Sequence, residues 1–235
     1  MKLKSMMIMI LLLKMMVVRS QTNISVDLGT RTDYASGTTV EMLAGFNLSF
    51  TRKWQAKISS GIIIREHGSV IRGLNAELNR TLMIGEKPVK MGAFHLWKPF
   101  TERMGEHFTG VLFNMNRNRI DYDLGLFQRY LYIRQSLNTT GNYDQRFHSE
   151  QLSFMYRIMY KLIQKNNIQL KMGIGSFDTF TIQHETNPMF LTEMLYHLSE
   201  RFSLRLNAVY LQSGLMNIRV NYYGYQIRGG LLWNF

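Results

Sequence analysis

The sequence predicts an all-β protein: a transmembrane antiparallel up-and-down β-barrel of about twelve strands, or ten if its weakest pair fails. Three observations carry that prediction. From residue 21 to the C-terminus, apolar residues recur at every second position over most of the chain, the period of a strand with one face in lipid and one in a polar lumen. The chain is 46% hydrophobic, yet its mean hydropathy is slightly negative and no apolar run is long enough for a membrane helix. The links between alternating segments are by turns short and long, an asymmetry a soluble sandwich does not need.

The segments follow in order. Ile24, Val26 and Leu28 oppose Ser25, Asp27 and Gly29. Val40, Met42, Ala44, Phe46, Leu48 and Phe50 oppose Glu41, Gly45, Asn47 and Ser49. Trp54, Ala56, Ile58, Ile62 and Ile64 oppose Gln55, Lys57, Ser59, Gly61 and Arg65. Val70 to Leu78 is a fair strand; Val89 to Trp97 is the weakest, opening after Pro88 and containing Gly92 and His95. Val111, Phe113 and Met115 mark the next strand, followed by a long face of Ile120, Tyr122, Leu124, Leu126, Tyr130 and Tyr132. Leu152 to Leu162, Ile168 to Ile174, Phe190 to Leu198, Phe202 to Tyr210 and Tyr223 to Phe235 complete the set.

The short links are Arg52-Lys53, Gly85 to Pro88, Asn116 to Arg119, Gln164 to Asn167 and Ser199 to Arg201, and are assigned to the periplasm. The longer, outer links are Tyr34 to Thr38, Glu66 to Ser69, Lys98 to Glu106, Arg134 to Arg146, Gln183 to Asn187 and Gln212 to Asn217. Aromatic residues fall at headgroup level: Phe50, Trp54, Tyr160, Phe202, Trp233 and Phe235 at the periplasmic ends, and Tyr34, Tyr130, Tyr132 and Tyr210 toward the outer ends.

Residues 1–20 read as a secretory signal peptide, with Lys2 and Lys4, the apolar run Met6 to Leu13, and Val18-Arg19-Ser20 before Gln21. Residues 21–235 form the barrel. A glutamine after the cut resembles exported proteins of Bacteroidota. The formal charge is +12; of the 28 basic residues, Lys2, Lys4, Lys14 and Arg19 lie in the leader, which leaves 24 against 16 acidic residues. Lipopolysaccharide phosphates at the rim are one explanation of that excess. The absence of cysteine excludes a disulfide scaffold, a thiolate metal site and a cysteine nucleophile.

The chain ends Arg228-Gly229-Gly230-Leu231-Leu232-Trp233-Asn234-Phe235. This resembles the terminal β-signal of bacterial outer-membrane barrels: a polar residue, any residue, glycine, two more, an aromatic, any residue and a final aromatic. Arg228, Gly230, Trp233 and Phe235 occupy the fixed positions. The resemblance implies an outer-membrane location and biogenesis through the barrel-assembly machinery, by edge pairing of the last strand.

By parity, the inward face carries Asp27, Arg31, Glu41, Lys57, Arg65, Glu77, Lys90, Asp121, Asp123, Arg129, Arg157, Lys161, Lys171, Glu193, Arg205 and Arg228. Two readings of this lumen stand side by side. In one, the charges form a salt-bridge network that plugs and stiffens the barrel, helped by the bulky inward Phe127, Met155, Met159 and Phe177. In the other, Lys57, Arg129, Arg157, Lys171, Arg205 and Arg228 line a small anion-favouring channel.

A phospholipase-like site would need His67 near Ser69 or His148 beside Ser149, and neither pair sits in a context resembling the phospholipase motif; a protease-like site would use His107, His184 and a loop carboxylate. His67, His107, His148 and His184 lie at outer links without metal-ligand spacing, so no metal or cofactor is expected. No clustered basic run points to nucleic acid. The expected function is that of a non-enzymatic barrel, a structural or interaction component of an envelope assembly such as secretion or conjugative transfer, with the small channel as the alternative. The expected partners are outer-membrane lipid and lipopolysaccharide, the assembly machinery, and an envelope protein.

Overall fold

The computed structural model describes residues 21–33, 37–51, 53–65, 68–85, 87–101, 104–136, 143–183, 187–213 and 222–235. The signal peptide expected at residues 1–20 lies outside them. So do the loop residues Tyr34, His67 and His184 and the side chain of His148.

Alternating sequence forms strands here because each strand sees two media. The strands are β1 (Gln21–Asp33), β2 (Gly37–Ser49), β3 (Trp54–Arg65), β4 (Gly68–Ile84), β5 (Lys87–Thr101), β6 (Met104–Arg117), β7 (Ile120–Ser136), β8 (Tyr143–Ser149), β9 (Ser153–Gln164), β10 (Ile168–Gly175), β11 (Phe177–Asp178), β12 (Thr181–Ile182), β13 (Met189–His197), β14 (Phe202–Ser213) and β15 (Tyr222–Asn234). β8 and β9 share β7 as partner, along Tyr130–Ser136 and Ile120–Phe127 respectively, and so make one wall strand interrupted at residues 150–152. β11 and β12 pair only with each other. The remaining strands run antiparallel to their neighbours, and β15 returns to β1 with Val26 opposite Leu231. The wall is therefore a closed, twelve-stranded, up-and-down barrel, which abolishes sheet edges.

Burial is inverted relative to a soluble protein. Leu28 is 57% exposed, Ile58 50% and Leu124 48%, whereas Glu41 is 0%, Arg228 3% and Asp27 5% exposed. Apolar outside and charge within is the pattern of a barrel in lipid, where a carboxylate on the outer wall would lose its hydration. Trp54, Tyr160, Phe202, Trp233 and Phe235 stand on the wall beside the termini and short turns, with Phe202 stacked on Trp233 at 5.6 Å. The tight turn after β6 is Asn118-Arg119, where Asn118 adopts φ 53°, the left-handed conformation asparagine tolerates.

The weakest expected strand is borne out, and two sequence expectations need correction. β5 is a full strand, and its alternation is blurred because both faces are apolar. Met91 and Ala93 face out while Phe94 and Leu96 face in, packed under the lumen contents. Most of Lys98 to Glu106 is not a loop: β5 runs to Thr101, β6 begins at Met104, and Lys98 Nζ lies 2.6 Å from Glu106 Oε1. Parity also fails in β4. Gly61 pairs with Gly73 but Ile62 with Ile71, so Arg72 is an extra residue on the bulged strand. Arg72 shares its parity with the lipid-facing Leu74 and Leu78, and the bulge turns it inward to 4% exposure.

Candidate functional site

The first part of the link from β10 to β13 does not project into solvent. Its Ser176–Gln183 segment folds into the lumen as the small β11–β12 hairpin, fixed to three walls. At its root, Ser176 N–H donates to the Tyr156 carbonyl at 2.7 Å, and the Tyr156 N–H donates to Ser176 Oγ at 3.1 Å. On the β4 side, Asn75 donates to the Thr179 carbonyl at 3.4 Å and Arg72 to Thr181 Oγ1 at 3.4 Å. On β15, Arg228 Nη2 meets Asp178 Oδ2 at 2.5 Å.

The hairpin is apolar enough to be held by packing. Phe180 is fully buried and Phe177 nearly so, in a cluster with Leu43, Phe94, Leu96, Phe108, Leu112, Phe127 and Met155. Arg72 lies over the Phe180 ring at 5.4 Å and Arg157 over Phe177 at 5.3 Å, so cation–ring contacts from two further arginines add to the Arg228–Asp178 ion pair. A second apolar cluster joins Met159, Met189, Leu191, Val209 and Leu211.

Below the hairpin, toward the periplasmic turns, a cavity of about 340 Å³ opens. Five of the six basic residues expected to line the lumen meet there: Lys57, Arg157, Lys171, Arg205 and Arg228. Asp27, Asp178 and Glu193 are the acidic members of the same lining, so its formal balance is positive. Arg129 is not part of it. It is paired with Glu106 and Glu150, both at 2.7 Å, over the Phe108 ring.

Every one of the six cations has a carboxylate partner. Lys57 pairs with Glu77 at 3.2 Å, Arg157 with Asp123 at 2.5 Å, Lys171 with Asp121 at 2.8 Å, Arg205 with Asp27, and Arg228 with Asp178. The lumen is thus a network of ion pairs, and Lys57, with its side chain 40% exposed, is the most open of these cations. The buried partners Arg72 and Glu41 are in direct contact at the hairpin's level. Parity missed Arg72 because of the bulge, and missed Asp178 because a residue between strands has no face.

The histidines also depart from expectation. His107 sits in β6, not in a loop, and faces the lipid side with His95 of β5. His107 Nδ1 lies 3.2 Å from His95 Nε2, and His95 Nδ1 lies 2.8 Å from Thr109 Oγ1. Spacing along the chain could not show this, since the partners lie on adjacent strands. Among the described residues no group of three or more histidine, cysteine, aspartate or glutamate side chains could hold a metal ion.

Of the β-signal residues, Arg228 faces the lumen, Gly230 lies between Arg205 and Asp27, and Trp233 and Phe235 face outward with ring centroids 4.0 Å apart.

No family profile and no curated protein matches the sequence. Solved structures match the fold. The NanC porin aligns over 90% of this chain and 100% of its own, with 14% identity and a TM-score of 0.56. The translocator domain of the autotransporter NalP from Neisseria meningitidis aligns over 92% of this chain and 88% of its own, at 10% identity and 0.56. The KdgM porin, solved in complex with disordered oligogalacturonate, aligns over 91% and 99%, at 8% identity and 0.53. With its closed twelve-stranded wall, its apolar outer band between aromatic rings and its charged interior, the chain is a transmembrane β-barrel of the bacterial outer membrane.

Proposed function

We propose that this barrel is a narrow, non-enzymatic channel for small anionic solutes, with the inward hairpin as its constriction. The observation that carries the reading is the vestibule beneath the hairpin, where Lys57, Arg157, Lys171, Arg205 and Arg228 outnumber the carboxylates around one cavity. Low-dielectric walls focus the field of such a lining, raising the local concentration of anions. Two of the fold's structural relatives are porins, one of them solved with an acidic oligosaccharide.

A second reading, a closed barrel serving as a structural or interaction component of the envelope, is favoured by a different observation. The apolar cluster around Phe180 fills the lumen beside the hairpin, and each of the six basic residues is neutralised by a partner.

Planar-bilayer recording separates the two. The channel reading expects a small, anion-selective conductance that rises several-fold when Asp178→Asn and Arg228→Gln free the hairpin. It also expects Lys57→Glu with Arg205→Glu to shift selectivity toward cations. Silence from both the wild type and the hairpin-released variant, with the barrel still heat-modifiable on gels, discards the channel in favour of the closed component.

A further inference from the structure

Cations on the two sides of the wall are treated differently. The six cations expected to line the lumen are paired with carboxylates, as above. At the periplasmic rim of β3–β7 a contiguous arc of Lys53, Arg80, Lys87, Arg117 and Arg119 is exposed, and none of the five forms an ion pair among the described residues. Glu86 is the acidic residue that the sequence places within this arc, and it lies outside the described residues.

The arc is set against lipid, not against the aqueous mouth. Arg80 follows the outward Leu78 on β4, directly opposite Trp54 of β3, and its guanidinium lies over the Trp54 ring at 5.4 Å. Arg119 Nη1 donates to the hydroxyl of the outward-facing Tyr160 at 3.4 Å. Arg80 and Arg119 are thus each held by an aromatic residue of the headgroup girdle, above an apolar wall that includes Ile58, Leu78 and Ile158. A phosphodiester at the interface, with its acyl chains on that wall, meets both the charge and the apolar surface.

We propose that the β3–β7 rim is a binding site for the phosphate headgroups of anionic phospholipids in the periplasmic leaflet, centred on Arg80–Trp54 and Arg119–Tyr160. The exposed basic charge of this arc then serves the inner leaflet, where the sequence alone suggested lipopolysaccharide. Cations near an anionic lipid surface are worth roughly fivefold in affinity each, an attraction that salt screens.

The test reconstitutes the whole barrel in phosphatidylcholine vesicles containing spin-labelled phosphatidylglycerol or spin-labelled phosphatidylcholine, and reads the relative association of each by electron spin resonance. The wild type is expected to prefer the anionic lipid several-fold, with the preference shrinking at high salt. Arg80→Gln with Arg119→Gln is expected to bring it near parity. Lys165→Gln, at a turn outside the arc, is expected to leave most of it. Inorganic phosphate at matched ionic strength is expected not to compete, which separates a lipid site from a free-phosphate site. Equal association of the two lipids with the wild type overturns the proposal and leaves an acidic periplasmic protein as the arc's occupant. Persistence of the preference in the folded double variant also overturns it. Should the double variant fail to fold, the two single variants read the same quantity, and the wild-type comparison stands by itself.

Discussion

Arg205 of β14 reaches across the closing strand to Asp27 of β1, its Nε 3.1 Å from Asp27 Oδ1. It can do so because the residue between them is Gly230, which pairs with Arg205 on one side and Asp27 on the other. The ion pair therefore ties the penultimate strand to the first one across the seam at which the barrel shuts.

A side chain at Gly230 has no room. A Cβ there would stand 2.0 Å from Asp27 Oδ1 and 2.4 Å from the Val26 carbonyl, and the second of these is backbone that cannot swing away. At the neighbouring Gly229 nothing lies within 4 Å. Gly230→Ala is expected to lower the yield of heat-modifiable barrel on refolding into detergent micelles, and Gly229→Ala to leave it at the wild-type level. Refolding without the assembly machinery isolates this packing effect from recognition of the terminal signal. Equal yields for the two variants would remove the seam as the reason for the glycine.

In the channel reading, the hairpin's acidic residue sets how the constriction responds to acid. Burial opposes ionisation of Asp178, but the guanidiniums of Arg228 and Arg72 and the Thr179 backbone N–H outweigh it and hold the carboxyl well below the usual carboxylate range. In a released hairpin the group would titrate at about 3.9. A depressed value in the docked state means that docking is fully stabilised above the released value and loses that stabilisation only as pH falls through the docked one. Conductance is expected to stay flat from neutral pH down to roughly pH 4. Opening on mild acidification, near pH 6, would mean that another group controls the hairpin.

Phe180 anchors the same hairpin by packing. It is fully buried among Leu43, Phe94, Leu96 and Phe127, and truncating such a ring removes its contacts and leaves a cavity. Phe180→Ala is expected to weaken the docked state by about 3 kcal/mol, at the lower end for a buried aromatic because the hairpin can release instead of straining the wall. Faster proteinase K cleavage within residues 176–188, with an unchanged wall in circular dichroism, is the readout. Cleavage at the wild-type rate would show that the ion pairs alone hold the hairpin.

Period-two alternation made the wall legible wherever the two faces met different media. Val40 to Ser49 and Ile120 to Arg129 were readable residue by residue for that reason. β5 was weak because Phe94 and Leu96 face a lumen filled at that level by apolar hairpin side chains, so both its faces are greasy. The hairpin itself left one trace, a Phe-Asp-Thr-Phe-Thr-Ile run too apolar for a solvent loop. Inward placement of Lys57, Arg157, Lys171 and Arg205 follows from parity, but their partners do not, since pairing depends on register between strands distant in sequence. Arg72 was invisible because a single inserted residue reverses the side to which it points.

That bulge gives the most demanding test of the lumen's electrostatics. Arg72 and Glu41 are 4% and 0% exposed, and each is the other's principal charge partner at the level where the hairpin crosses. Removing one partner of such a pair strands a charge away from water, whereas removing both removes the desolvation penalty along with the attraction. Glu41→Gln is expected to destabilise the folded barrel by about 3 kcal/mol in urea titration. Arg72→Met alone should cost less, because Arg228 lies 4.0 Å from Glu41 and can take over part of its neutralisation. The double variant Glu41→Gln with Arg72→Met should recover most of the loss, giving a coupling of about 2 kcal/mol or more. Strictly additive losses would mean that the two groups do not act as a pair, and that the bulge places Arg72 for its contacts with Thr181 and Phe180 instead.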